Sequence, residues 1–419
     1  MTTSLSVIIG GVEIPISSGN VAGASHGHTG HASLTTSIAA LTAQNIDLIE
    51  IAQDAPTILP VDVYLVKDGA TAHLFGGEYI KANFAYRADT VTIHARDWSG
   101  LLVDQKRVLT NILGGNTGAL APGEQPGSGI STTNQTISQL VTAIANQFGL
   151  TPDLRLSNSP GSNPQVGTIF GNSNDTVLTA VPQSLWGILL RLARDTGNEV
   201  YTTPEKRLVF GEPGAGLTPL ALGWKMNPVP DGTLPLLDLN IEHNPRRNLT
   251  FRVLVLSYDP TVGQPTKGQA YVIGSDMTTS SGATVHAGAW NGAAAAQIQG
   301  AVGKGSASKK NAIPLYTFHI DGLTAAQANL RAQSIATDIA KRELIVRADM
   351  DILPGVEPSQ AARLDGAINA GFLAHSYYVT SFSHMFKMGK NTAKLDTSLM
   401  LLDQQPGGAG ESVTPGGVE

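Results

Sequence analysis

Apolar and polar positions alternate with a period of two through the first quarter of the chain, and a period near 3.6 takes over at three later places. Leu5, Val7 and Ile9 alternate, Gly10-Gly11 can turn the chain, and Val12, Ile14 and Ile16 alternate back, which predicts a hairpin. Residues 46–51 and 61–66 read as further strands, the second closed by an Asp68-Gly69 turn. Val91, Ile93 and Ala95 alternate with Thr92, His94 and Arg96 in a half-buried strand that runs into Asp97-Trp98-Ser99-Gly100. The Gly-, Ala-, Ser- and His-rich residues 19–33 predict a loop, and residues 35–43 carry a weaker helical pattern.

Helical spacing first becomes clear at Ile137, Leu140, Val141, Ile144, Ala145 and Phe148, with Thr136 and Gln139 spaced as a capping box and Gly149 placed to end the helix. A second helix follows at Leu185, Ile188, Leu189, Leu192 and Ala193, started by Ser184 and stopped near Gly197. Residues 199–202 and 207–210 then form a hairpin about Pro204-Glu205. Strands return at 236–242 and 249–258. Residues 314–320 are a short extended run, and a long helix is expected over 324–347, capped by Thr324 with Gln327. Its small-residue face, Ala328 and Ala332 followed by Ile335, Ile339 and Val346, would let it lie close against a sheet. After Pro354-Gly355 come two strands, 377–386 and 394–402, so the block reads as one helix across antiparallel strands.

The fold class is therefore α+β and β-dominated. Residues 1–106 are one β domain, 107–135 a Gly/Pro-rich linker, 136–213 an inserted α+β module, and 214–403 a second β domain. That last domain holds the helix 324–347 and an extended loop, 266–311, long enough to suggest that it reaches a partner. Residues 404–419 form a Pro/Gly-rich tail expected to be disordered.

Composition narrows the function. The chain has 419 residues, a formal net charge of −6, 46 Gly, 23 Pro and no cysteine. A negative balance gives no global field for gripping nucleic acid, and the lack of thiols excludes disulfides and thiolate metal sites. The N-terminal residues have no charged segment leading into an apolar core, and no apolar run reaches the ~18 residues a membrane span needs, so neither a signal peptide nor membrane insertion is expected.

Candidate chemistry is sparse. His26, His28 and His31 have a spacing that could hold a divalent ion, but no carboxylate or thiolate lies near in sequence to complete the site, and a solvated Gly/His loop is the favoured reading. Asp97 and Trp98, beside Arg96 and His94, could be an acid/base cluster, although a tryptophan at a strand end is more often a core plug or interface anchor. Asp351, Glu357, Asp365 and Glu343 are carboxylates without a motif that fixes a pair. His384 is expected on a strand surface rather than as a base. Hydrolase nucleophile motifs and a Walker loop are lacking, so no enzyme activity, metal or cofactor is predicted.

The order of these features is similar to that of the phage tail baseplate hub proteins, the family of late control protein D and the contractile-tail hubs. Residues 91–104 resemble the end of that family's first domain. The helix at 136–149, the stretch Ser184-Leu185-Trp186-Gly187-Ile188-Leu189-Leu190-Arg191, and the hairpin ending Leu208-Val209-Phe210-Gly211 look like its inserted module. Residues 328–347 and Tyr377-Tyr378-Val379-Thr380-Ser381-Phe382-Ser383-His384 resemble its last domain. Residues 354–372 and 266–311 depart from the pattern.

This resemblance implies two tail-tube-like β-barrel domains per chain and a homotrimer with pseudo-sixfold symmetry. The ring would join a hexameric tail tube to a trimeric central spike, contact other baseplate proteins and let genome DNA pass without specific binding. It implies a virion protein of the tail baseplate, assembled in the host cytoplasm, with Asp97, Trp98, Trp186, Phe382 and His384 in structural or interface roles. Alternatives are the hub of a related contractile injection system, a tail-associated cell-wall hydrolase, and a monomeric adhesin-like binding protein.

Overall fold

A computed structural model of the chain describes residues 3–24, 29–54, 58–67, 69–110, 129–131, 135–156, 163, 166, 183–243, 251–259, 263–273, 284–287, 314–320, 323, 325–340, 344–368, 376–388 and 393–403. These fall into two units: Met1–Ile241, Val346–Ile368 and Tyr377–Leu401 in the first, and Glu242–Ile345, Asn369–Ser376 and Leu402–Glu419 in the second.

A thirteen-stranded sheet dominates the first unit. Its opening half runs in the order Val12–Glu13, Thr3–Ile9, Pro60–Lys67, Ala70–Ala85, Thr90–Asp97, His31–Thr36 and Ser18–Ala24. Period-two patterning sets the two faces: Val61, Val63 and Leu65 are buried on one strand, Val91, Ile93 and Ala95 on another. These residues share one core with Val7, Ile9, Val21 and Leu34, so the strands curl round a common interior. Gly10 and Gly11, both at positive φ, make the first turn as the sequence predicts.

The sheet does not stop at Ser18–Ala24. That strand pairs antiparallel with Tyr377–Met388, from Ser381↔Ala24 to Lys387↔Ser18. Beyond it lie Ala361–Gly366, Leu220–Trp224, Thr233–His243, Leu344–Asp351 and Ala393–Asp403, and the last of these also pairs with Tyr377–Met388. Those six strands therefore close into a barrel, which removes their edges.

The inserted module carries the helices Ile137–Gln147 and Leu185–Thr196. Thr136 and Gln139 form the predicted capping box, Ser184 accepts from the Gly187 amide, and Gly197 ends the second helix in the left-handed region. Both helices bury their apolar stripes with Val200, Leu208 and Phe210 of the hairpin Glu199–Thr202/Arg207–Gly211, and Thr151–Arg155 adds a third, parallel strand.

In the second unit, the strands Thr284–Ala287, Gln264–Ile273, Phe251–Asp259 and Leu315–His319 form a four-stranded sheet in that order. The helix Ala325–Ala340 lies on one face, burying Ala328, Ala332, Ala336 and Ala340 against Phe251, Val253, Val255 and Val272. The approach is so close that a Cβ at Gly268 would run into the Ala328 backbone.

Several expectations are corrected here. The loop expected over 19–33 is replaced at 19–24 and 31–33 by the strands Ser18–Ala24 and His31–Thr36, and residues 25–28 lie outside the described residues. Residues 48–54 are a helix, not a strand, because Asp47 accepts from the Ile49 and Glu50 amides and starts it. The described helix is Ala325–Ala340, and it does not extend to 347: Leu344–Asp351 is a strand whose buried Leu344, Val346, Ala348 and Met350 alternate with outward residues. That helix lies on the sheet of the second unit, rather than across the last two strands. The stretch 266–311 holds strand residues through Ile273 and the strand Thr284–Ala287. The predicted cap at Thr324 and the tail 404–419 lie outside the described residues.

Candidate functional site

Where the two β halves meet, strand alternation sorts side chains onto two faces. Inward, Phe382, His384 and Phe386 meet Gly23, Val21 and Gly19 of the paired strand. Outward, Ser381, Ser383 and Met385 lie beside Ala24, Ala22 and Asn20, followed by His31 and Ser33 of the next strand. Ser383 Oγ donates to Asn20 Oδ1 at 2.5 Å across the junction. This outward face bears a groove of about 490 Å³, lined also by Thr29, Ser398, Met400 and Arg347. Its lining mixes apolar groups (Ala22, Ala24, Phe382, Leu399 and Met400) with hydroxyls, the Asn20 amide, the His31 imidazole and one guanidinium, and the described lining holds no carboxylate.

The inward face fixes the junction sterically. A Cβ on Gly23 would lie 2.5 Å from the Phe382 ring, and one on Gly19 would lie 2.6 Å from Phe386. The two glycines therefore make the room that the two aromatic rings fill. His384 sits between them, 1% exposed, with its ring 5.0 Å from Phe382 and Nδ1 2.9 Å from Thr397 Oγ1. Thr397 Oγ1 also accepts from the Leu353 amide at 2.8 Å, which ties the imidazole's partner to the backbone. Burial pushes His384 down to about 4, so the ring is neutral at pH 7. The expectation of a surface histidine is corrected: the alternation places it on the core side.

A second constellation ties the inserted hairpin to both halves. Trp98 leaves the strand Thr90–Asp97 to plug the module's core, 2% exposed, and its Nε1 donates to Pro204 O at 3.1 Å. Lys206 Nζ stands 4.2 Å from the Trp98 ring centroid. Gly76 permits this approach, since a Cβ there would strike Pro204 O. From the other half, Glu357 accepts from Arg155 Nη2 at 3.1 Å, Tyr201 Oη at 2.9 Å and Arg207 Nη2 at 3.1 Å. Asp153 Oδ2 accepts from Arg155 at 2.7 Å and from Arg207 at 3.0 Å, completing the network. Burial and the Glu357 charge push the Tyr201 phenol up.

Asp97 is enclosed beside this anchor. Gly30 N donates to it at 2.7 Å, and the Ser99 amide and hydroxyl donate as well. Burial nevertheless pushes its carboxyl up to about 6. Arg96 turns away to pair with Glu78 and Asp104, and His94 meets Asn83 at 3.2 Å, so these neighbours do not assemble with Asp97 as an acid/base cluster. Trp186 is 4% exposed in the module core, away from Phe382 and His384. His31 is an exposed strand residue paired with Ala22, whereas His26 and His28 lie outside the described residues. Among the described residues no group of three His, Asp or Glu could hold a metal ion. Sequence reading missed the Glu357 hub, because its partners lie up to 202 residues away and only the fold brings them together.

By sequence, no family model and no curated protein matches the chain. By structure it is similar to a tail protein from Neisseria meningitidis MC58, with a TM-score of 0.59 at 12% identity, over 96% of this chain and 97% of that one. It is likewise similar to the 43 kDa tail protein of prophage MuSo2 from Shewanella oneidensis, with a TM-score of 0.54 at 13% identity, over 96% and 98% of the two chains. Along nearly its whole length, the chain has the fold of these two tail proteins.

Proposed function

We propose that the protein is a structural hub of a phage contractile-tail baseplate. Three copies close into a ring that joins a hexameric tail tube to a trimeric central spike, with other baseplate proteins packed outside. The observation that carries this reading is the continuous sheet: two β halves, one ending in a closed six-stranded barrel, are hydrogen-bonded edge to edge. Two tube-like halves per chain, taken three times, match a sixfold partner on one side while keeping threefold symmetry for the spike. The polar outward face of that sheet would form part of the conduit wall, and its small hydroxylated side chains suit passage of a charged polymer. The likeness in fold to two tail proteins supports the reading.

The site holds binding and packing groups rather than a nucleophile–base pair, so the role is mechanical. Assembly would take place in the host cytoplasm, and the finished protein would reside in the virion tail. Light scattering across a concentration series tests the reading: a trimer of three 43.7 kDa chains has a mass of about 131 kDa. A protein that stays at the monomer mass both alone and when mixed with its spike would overturn it.

A further inference from the structure

We infer that the strand Leu315–His319 is a docking edge for an extended, acid-bearing segment of a partner protein, which joins the four-stranded sheet of the second unit as a further strand. Nothing in this edge depends on the closing of a ring. Leu315–His319 is an outer strand, hydrogen-bonded on one side to Phe251–Asp259. The pairing is parallel, with the Arg252 amide donating to Pro314 O and the Ile320 amide to Leu256 O. That register turns the backbone groups of Tyr316 and Phe318 towards the sheet, so the amides and carbonyls of Leu315, Thr317 and His319 point outward. Among the described residues nothing bonds to them. Proteins usually blunt such an edge with proline, lysine or a bulge. This strand runs Leu-Tyr-Thr-Phe-His in unbroken register and has none of the three. Leu315 is 47% exposed on one face and Tyr316 42% exposed on the other, where its ring meets Phe251 edge-on.

The chemistry beside the edge selects the occupant. Alternation puts Arg252, Lys267 and His319 on the face away from the helix Ala325–Ala340, and no acid joins them among the described side chains. Arg252 Nε is shielded from water and, among the described residues, has no hydrogen-bond partner. Arg252 is paired with Leu315, in the row that an added strand would extend. A carboxylate on that strand gives the guanidinium its acceptor, while the strand's own backbone takes up the outward amides and carbonyls. A second copy of this chain is the poorer fit, because pairing two such edges sets two basic faces side by side without an acid between them.

The test uses the full chain and a short, capped, labelled peptide in which Val alternates with Glu, with Gln and Lys twins as controls. Binding is read by fluorescence anisotropy, and amide hydrogen exchange is followed with and without peptide. Thr317→Pro removes one outward amide and obstructs the edge while leaving the bonds to Phe251–Asp259 in place. Melting curves check that this variant and Arg252→Gln stay folded. The Glu peptide should bind and slow exchange at residues 315–319. It should bind about threefold more tightly than its Gln twin, the effect of a partly exposed charge pair, with the Lys twin weakest. Thr317→Pro should abolish binding of all three, and Arg252→Gln should keep binding but lose the preference for Glu. No binding of the Glu peptide, equal binding by folded Thr317→Pro, or exchange at 315–319 that is already slow without peptide would overturn the inference. So would twofold pairing of copies that Thr317→Pro dissolves. Light scattering of the same samples reports the trimer separately, so failure of the docking edge and failure of the ring are read independently.

Discussion

The two β halves differ in how they dispose of their edges, and each buries one ionisable side chain near the seam. In the second half, six strands close on themselves. The first half curls round its core but ends on Ser18–Ala24, which completes its hydrogen bonds only on a strand from the second half. One half is thus closed by its own residues, while the other stays open and has one edge completed by a neighbour. The buried groups are also opposites: Asp97 in the first half is an acid held at about 6, and His384 in the second is a base held at about 4. An open half needs external anchors, and it has three: the glycine–phenylalanine seam, the Trp98 plug and the hairpin that Glu357 holds.

The largest expected effect comes from removing the Glu357 anchor. Glu357→Ala leaves Arg155 with Asp153 and the Tyr201 hydroxyl, and Arg207 with Asp153 and a longer contact to Glu205, and breaking such a partly buried network should cost about 3 kcal/mol. Hydrogen exchange should accelerate at residues 199–211 well before the closed barrel responds. Uniform exchange across both halves would contradict the idea of a local anchor.

The two buried groups make opposite pH predictions, each worth about 3 kcal/mol. His384 refuses the proton that the unfolded chain accepts, so stability is lost as pH falls from 6.5 towards 4. Asp97 holds its proton more tightly folded than unfolded, so stability is gained as pH falls from 6 towards 4. The wild type should show little net slope from this pair. Asp97→Asn should expose the histidine, destabilising steadily on acidification in denaturant titrations at pH 6.5 and 4.5, and His384→Asn should do the reverse. Parallel slopes in the two variants would show that neither group is buried as described.

Forcing the seam apart should cost less. Gly23→Val drives a side chain into Phe382, an overpacking penalty of about 1–3 kcal/mol, and should loosen the Ser18–Ala24 strand. Smallest is Trp98→Phe, which keeps most of the apolar plug but loses the bond to Pro204 O and weakens the Lys206 contact, about 1 kcal/mol by melting.

The same contrast explains what the sequence could reveal. The module's helices were legible because capping residues and apolar stripes are local: Thr136 with Gln139, Ser184 with Gly187. Ser18–Ala24 was not, since its glycines are dictated by Phe382 and Phe386, distant in sequence, and read alone they mimic a loop. Leu344–Asp351 was hidden by its helix-forming approach, and Gly268 by the helix that presses on it. The candidate site suffers the same way: Ser381 and Ser383 look ordinary until pairing sets them beside Ala22, Asn20 and His31. The order of elements therefore carried more information about the fold than any single motif did.

Electron cryomicroscopy of the purified protein would test the central claim most directly. The account predicts a threefold ring with an open centre, in which the sheet face bearing Ser381, Ser383 and Ser398 borders the channel. Particles that remain single chains with that face on the outside, or a ring that turns it away from the channel, would contradict it.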